Sequence, residues 1–387
     1  MKRKEGNRGD RNRDFSKVKS FKGDKRRDVR EKGPSGRLDD WAEKLSPEAL
    51  EKGHAVEYTV SMAIPSSFLR SAQTKELKSY MVAQIARTAV LHEVDEIVIF
   101  IDTASEAAST DTDKTPSVFL CRLLQYMECP AYLRKAFFPV HSDLSLAGMM
   151  PQLDTPHHMR RDNVSLYREG VIVEDKLSSD GCYANVGLHK EAYLPARIRP
   201  GTRVTVQLDD PESINEAARG SSAQISGTPV PPNTPRAKHG LYWGYKTRLA
   251  RSFHEIFTKC PYGRDGGYSF LVGQSERGQD IDKVDTGALK KKEKEKEKEK
   301  EKEEEKGDSA RHKKHFLVVF GGGSGNSIEN CVDADETLTI HGKDADTMFD
   351  LWVNTCAVRG SRQVRTEEAV QIGMTSLRRV LLAMAAE

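Results

Sequence analysis

The chain has 387 residues, of which 37% are hydrophobic and 31% charged, enough for roughly two or three domains with real cores. Its formal net charge of +3 is unevenly spread: residues 1–32 carry 14 Lys and Arg against 6 Asp and Glu, and the body is mildly acidic. A uniformly basic nucleic-acid binder is thereby excluded, and any such contact in the body rests on local patches. The six cysteines, at 121, 129, 182, 260, 331 and 356, form no C-x-x-C pair and no zinc or disulfide spacing. Free thiols in a reducing compartment, and no metal, are expected. No apolar run reaches the roughly 18 residues of a membrane span, and no apolar stretch follows the basic start as in a signal peptide. A cytosolic or nuclear protein without membrane contact is expected.

Residues 1–53 are charged and nearly free of large apolar groups, which predicts a disordered basic tail, with Lys25-Arg26-Arg27 a weak import signal. From His54 the pattern changes. Residues 56–62 alternate as a strand does and end in the turn chemistry of Pro65-Ser66-Ser67. Leu77, Met81, Ile85 and Ala89 then recur at helical spacing within 74–93, and Glu96-Ile-Val-Ile-Phe-Ile101 is apolar enough for a strand covered on both faces. Strand, helix and buried strand open an α/β sheet. After a polar loop, residues 118–127 predict another helix, ended at Cys129-Pro130.

Near His141 the pattern shifts to short strands, at 170–173, 182–187 and 203–208, with Pro200-Gly201 a turn. A small inserted β unit accounts for them, and residues 209–238 are expected to be a loop. The α/β pattern reopens at Gly240, with 249–257 expected to be helical. Tyr268-Ser-Phe-Leu-Val272 is a predicted strand running into a glycine loop, Gly273-Gln-Ser-Glu-Arg-Gly278. The Lys/Glu run from Lys290 alternates so strictly that i,i+4 pairs are like-charged, and a solvated loop is expected for it. His315-Phe-Leu-Val-Val-Phe320 is a further buried strand, ending in Gly321-Gly-Gly-Ser-Gly325, and Leu351-Trp-Val353 a short one. The segment that follows is dense in cations, with Arg359, Arg362 and Arg365 three residues apart. Gly360 permits unusual backbone geometry there, and Thr366 with Glu367 and Glu368 predicts a capped helix start.

Three glycine-bearing loops thus follow buried strands, and in open α/β sheets ligands bind beyond the strands' carboxyl ends. Gly321-Gly-Gly-Ser-Gly-Asn326 almost matches a dinucleotide fingerprint, but Asn326 stands where the last glycine belongs, and too little chain remains for that fold. No Gly-Lys-Ser/Thr exists for a P-loop.

Several longer motifs occur together: Tyr242-Trp-Gly-Tyr-Lys-Thr-Arg248, Gly273-Gln-Ser-Glu-Arg-Gly278, Phe320-Gly-Gly322, Asn354-Thr-Cys356, Gly360-Ser-Arg362 and Arg365-Thr-Glu-Glu-Ala369. In that order they resemble the SPOUT-class RNA methyltransferases, and most of all the SPOUT-domain methyltransferase 1 family, also called the centromere protein 32 family. The likeness continues upstream in Tyr58-Thr-Val-Ser-Met-Ala-Ile-Pro65, Ala131-Tyr-Leu-Arg-Lys-Ala-Phe-Phe-Pro139 and Asp154-Thr-Pro-His-His-Met-Arg160, and covers about residues 54–380.

The resemblance implies an α/β fold with a C-terminal trefoil knot over 54–140 and 236–387 and an OB-like β-barrel inserted at 141–235; the tail and the low-complexity Lys/Glu insertion at 286–312 lie outside it. It further implies S-adenosylmethionine as cofactor, released as S-adenosylhomocysteine, and a homodimer. Cofactor contacts fall on Gly273, Ser275, Glu276, Gly278, Phe320, Gly321, Gly322, Asn354, Thr355, Cys356, Gly360, Ser361 and Thr366. The departures Ala357-Val358 and 324–327 lie in these loops. The Arg-x-x-Arg-Thr-Glu-x-Ala segment is also similar to bacterial small-subunit rRNA uridine-N3 methyltransferases. Uridine N3 of large-subunit rRNA is the implied acceptor, in a nuclear or nucleolar, and also cytoplasmic, setting. Arg362 and Arg365 are then expected at the uracil or phosphate and Glu367 as their orienting partner, with the proton acceptor unassigned. Arg359 stands where relatives usually have an uncharged polar residue.

RNA contacts are expected at Arg134, Lys135, His158, Arg160, Arg248 and Arg277, each with a plainer alternative. Arg134 and Lys135 also suit a solvated face, His157 and His158 a hydrogen-bonded loop pair, Trp243 and Tyr245 core packing rather than base stacking, and Glu276 with Arg277 loop shaping. The competing function is a non-catalytic RNA-binding or spindle and kinetochore protein that keeps the fold.

Overall fold

The computed structural model describes residues 50, 53–161, 163–174, 180–211, 224–262, 267–303, 313–322 and 327–386. Of the expected disordered tail, residues 1–49, with Lys25-Arg26-Arg27, and 51–52 lie outside them, as do 324–326 and 304–312 of the Lys/Glu segment, whereas Leu50 is buried beside Met159, Tyr167, Leu241 and Trp243, so the packed body begins before His54.

Six parallel strands form one sheet in the order β11-β9-β10-β1-β2-β8. They are β1 (Tyr58–Pro65), β2 (Glu96–Phe100), β8 (Lys246–Ala250), β9 (Phe270–Asp280), β10 (Lys314–Phe320) and β11 (Leu351–Asn354). Every residue of β2 is buried, as its continuous apolar run predicts for a strand covered on both faces. Alternate residues divide between two cores. Met62, Ile97, Phe316, Val318 and Phe320 face the helices Lys75–Leu91, Pro116–Glu128 and Thr366–Ala385. Ala63, Val98, Phe100, Leu317 and Val319 face Phe253, Ile256 and the helix Ile328–Ala334.

Five further strands, β3 (Tyr167–Ile172), β4 (Cys182–Asn185), β5 (Ala192–Leu194), β6 (Arg203–Leu208) and β7 (Ile225–Val230), close into a barrel in the order β3-β4-β5-β7-β6. Its own core holds Ile172, Cys182, Leu194, Val206 and Ile225. Buried charge joins the barrel to the sheet. Arg203 of β6 donates from both Nη atoms to Glu128, at 2.7 and 2.9 Å, and from Nε to Glu169 at 2.7 Å. Trp243 Nε1 donates to Glu169 at 2.6 Å. Burial pushes the Glu128 carboxyl up, but Arg203 and His157 outweigh it and hold the group well below the carboxylate range.

Several expectations are corrected. Residues 209–238 are not one loop: β7 and the helix Thr234–His239 occupy part of that span, and β7 closes the barrel. Residues 249–257 are not one helix, because β8 runs to Ala250 and the helix is His254–Thr258. The Lys/Glu run is helical over Thr286–Glu303. Lys and Glu are good helix formers, and i,i+3 pairs of opposite sign partly offset the like-charged i,i+4 pairs. The helix start is also docked: Leu289 packs against the core, and Lys290 Nζ donates to the Ala386 carbonyl at 2.9 Å. Leu77 of the expected stripe is 54% exposed, while Met81, Ile85 and Ala89 are buried. No helix among the described residues is long and apolar enough to cross a membrane, and all six cysteines are free thiols.

Candidate active site

The carboxyl ends of β9, β10 and β11 lie side by side, so the three glycine segments of the sequence meet there. The first is not a loop beyond its strand. β9 continues to Asp280, but Trp352 and Val353, neighbours in β11, pair with Gly273 and Gln279, so residues 274–278 bulge out between them. A Cβ at Gly273 would collide with the Trp352 ring, and one at Gly278 with the backbone of Val353. These glycines let the bulge lie flat against β11.

The second segment, Gly321-Gly322, turns the chain from β10 towards the helix Ile328–Ala334; a Cβ on Gly321 would stand 3.0 Å from the Ile328 nitrogen. The third follows β11. Asn354 fastens it to the bulge: Nδ2 donates to the Glu276 carbonyl at 3.0 Å, and Oδ1 accepts from Cys356 N at 3.0 Å. Arg359 adds an ion pair, with Nη2 2.6 Å from Glu276 Oε1.

These segments and the start of the Thr366–Ala385 helix enclose a cavity of about 380 Å³. Of the residues expected at the site, Ser275, Glu276, Arg277, Gly321, Gly322, Asn354, Cys356, Arg362 and Thr366 line it. Gly273, Gly278, Phe320 and Thr355 stand behind the lining as packing. Gly360 and Ser361 are exposed and outside it. Gly360 does not adopt a positive φ, and a Cβ there would meet nothing, so the unusual backbone geometry expected of it is absent.

Arg365 and Glu367 also lie outside the lining. Arg365, not Thr366, is the N-cap, and its backbone N–H donates to Glu368 Oε2 at 3.0 Å. Glu367 is buried in the first turn, where burial pushes its carboxyl above the usual range, and its Oε2 has no hydrogen-bond partner.

The sequence reading missed Glu329, Gln363 and Val364, which also line the cavity, and held Arg359, likewise in the lining, to be a weaker choice than Arg362 and Arg365. Glu329 carried a usable signal: it follows Ser327, a helix N-cap, directly after the second glycine segment. Its carboxylate accepts from Ser275 Oγ at 2.7 Å and is buried.

The expected RNA contacts are scattered. Arg277 is at the cavity with its side chain 73% exposed, and Lys135 and Arg160 are exposed elsewhere. Arg134 is half tied down, its guanidinium 4.5 Å over the Tyr126 ring and its Nε donating to the Cys129 carbonyl at 3.1 Å. Two expectations need correction. Arg248 is held inside by Glu96 Oε1 at 2.8 Å, the carbonyls of Glu255 and Ile256, and the Tyr268 hydroxyl. His158 hydrogen-bonds the Glu128 carbonyl at 2.6 Å, next to His157 on the same oxygen. Trp243 and Tyr245 are buried, so neither is a stacking platform.

Comparison with known proteins agrees with this geometry. A family model described as "Putative RNA methyltransferase" matches residues 59–377. The chain is 38% identical over 360 residues to a "28S rRNA (uridine-N(3))-methyltransferase" of Drosophila melanogaster, covering 89% of this chain and 67% of that one. Proteins of the same name are 39% identical in Mus musculus, with 83% and 76% covered, and 38% identical in Homo sapiens, with 87% and 81% covered. With the family model spanning most of its length and the cavity at the carboxyl ends of its parallel strands, the chain belongs to this family of RNA methyltransferase enzymes.

Proposed function

We propose that the enzyme methylates N3 of a uridine in large-subunit rRNA with S-adenosylmethionine as donor. The observation that carries this reading is the meeting of three glycine segments and two arginines, Arg359 and Arg362, around one cavity. The residues present fit such a cofactor. Gly321 and Gly322 bring bare backbone to the cavity, and Glu329 keeps a buried oxygen without a partner among the described residues, ready to accept from a ligand donor. The names of the relatives support uridine N3 as the acceptor.

The bound cofactor supplies a methyl group on a positively charged sulfur. To accept that methyl group, uridine N3 would have to give up its proton to a base or to solvent, and negative charge would develop on the uracil. The protein's task is to hold both substrates in line and to stabilise negative charge on the uracil. Arg362, in the cavity wall, and Arg365, at the start of a 20-residue helix, suit the second task by charge-assisted hydrogen bonds. Glu367, buried in the first turn of that helix, is their orienting partner in this reading.

The sheet order, with β10 inserted between β9 and β1, suits a trefoil knot in the segment from β9 to the last helix. The closed barrel suits an OB-like RNA grip. A homodimer working in the nucleus or nucleolus completes the reading. Calorimetry with S-adenosylmethionine tests the cofactor: no binding at millimolar ligand overturns it. Arg365→Ala, as the only copy in cells, should abolish N3-methyluridine at the target rRNA site, and unchanged modification overturns its role.

A further inference from the structure

We infer that Glu329 is the anchor of the methyl donor, accepting hydrogen bonds from its N–H or O–H groups, with Ser275 as the residue that positions it. This rests on the S-adenosylmethionine reading above and names a residue within it.

Glu329 is 5% exposed yet lines the cavity, on the helix that directly follows the second glycine segment. One carboxylate oxygen, Oε1, accepts from Ser275 Oγ at 2.7 Å; the other, Oε2, is buried with no hydrogen-bond partner among the described residues. A buried acceptor left unsatisfied is costly, and it is retained where a ligand completes it. The residue's backbone is also pinned: a Cβ on Gly342 would collide with the Glu329 carbonyl, so the turn over Gly342–Met348 presses directly on it.

Charge balance points the same way. The other carboxylate in the wall, Glu276, is matched by Arg359 at 2.6 Å. Among the described residues Glu329 is matched by Arg277 alone, whose Nε stands 3.9 Å away on a side chain that is 73% exposed. The ligand complementary to this wall therefore brings donors or positive charge to Glu329. S-adenosylmethionine has both, in its ribose hydroxyls and its α-ammonium group.

The test is calorimetric, on the full chain, and needs no turnover. S-adenosylhomocysteine carries both donor groups; 5′-methylthioadenosine keeps the ribose and lacks the ammonium. Glu329→Gln preserves shape and removes the charge, and should weaken S-adenosylhomocysteine about tenfold or more. An equal loss for 5′-methylthioadenosine assigns the contact to the nucleoside, whose ribose hydroxyls and adenine amino group it keeps; an unchanged affinity for it assigns the contact to the ammonium. Ser275→Ala should weaken S-adenosylhomocysteine by a smaller factor, and it serves as the second variant if Glu329→Gln does not fold. Wild-type affinity for S-adenosylhomocysteine in both folded variants overturns the assignment of Glu329. If the wild-type chain itself binds neither compound, it is the cofactor reading that fails.

Discussion

Arg359 reaches across the mouth of the cavity to Glu276, with Nη2 2.6 Å from Oε1, and so latches the segment after β11 to the bulge of β9. The same guanidinium reaches the carbonyls of Cys356 and Arg362, each at 3.4 Å. It thus shapes the wall on which Arg362 stands. Because Glu276 is 65% exposed, the pair contributes little to global stability. Arg359→Ala should leave Tm almost unchanged while weakening S-adenosylhomocysteine binding by about three- to tenfold through a looser wall. Thermal melts and calorimetry on the same preparation check both halves.

Gly278 packs against the backbone of Val353, which cannot move aside as a side-chain tip does. Gly278→Ala should therefore cost about 1–3 kcal/mol of stability and displace the Glu276 carbonyl from Asn354. Gly360→Ala, in open space, should be neutral in Tm. Parallel urea titrations of the two variants distinguish a packed glycine from a free one.

His158 is half-buried against the Glu128 carbonyl, and loss of solvent there pushes its pKa down to about 3. The ordinary histidine pKa is about 6.5, so between that pH and about 3 the unfolded chain binds more protons here. This contribution to stability is complete above about pH 6.5 and is lost as pH falls, by up to about 1.4 kcal/mol per unit. Asp95, raised to about 6 by burial, acts in the opposite sense, since its folded form holds a proton that the unfolded form releases. The two slopes overlap, and the informative quantity is wild type minus His158→Gln. That difference should shrink as urea midpoints are compared from pH 7 down to pH 5.

Leu289 packs against the core, and Glu293 lies 3.5 Å from Lys314 Nζ, so the anchor of the Lys/Glu helix is its first two turns. Leu289→Ala should cost about 1–2 kcal/mol, the lower range for a partly buried truncation. Removing residues 294–303 should stay within about 0.5 kcal/mol, as surface changes do. A large loss of Tm on the deletion would show that the helix is structural along its whole length.

The sheet was legible because strands buried on both faces leave continuous apolar runs, as in Glu96–Phe100 and His315-Phe-Leu-Val-Val-Phe320. The glycines showed where the chain passes close to something. β7 was hidden because Ile-Ser-Gly-Thr-Pro-Val reads as a turn until its barrel neighbours supply the pairing. Ile328–Ala334 is too short to show a period, so the N-cap Ser327 ahead of it was the one signal that pointed to Glu329. Arg359 and Arg362 looked alike in sequence; only the fold assigns one to Glu276 and leaves the other in the wall. Burial removed Arg248 and His158 from the surface, and composition has no means of showing that.

β1 pairs with β2 on one side within a short span of chain, but its other side pairs with β10, where Thr59 Oγ1 meets His315 Nδ1 across 256 residues of sequence. During synthesis this edge, with Val60 and Met62 beside it, stays open until nearly all of the chain has emerged. The strand that covers this edge is also the one that carries Gly321 and Gly322 to the cavity, so a chain whose β1 edge is still open lacks the second glycine segment of its active site. Fast expression without chaperone support should penalise this chain more than one built from local pairings.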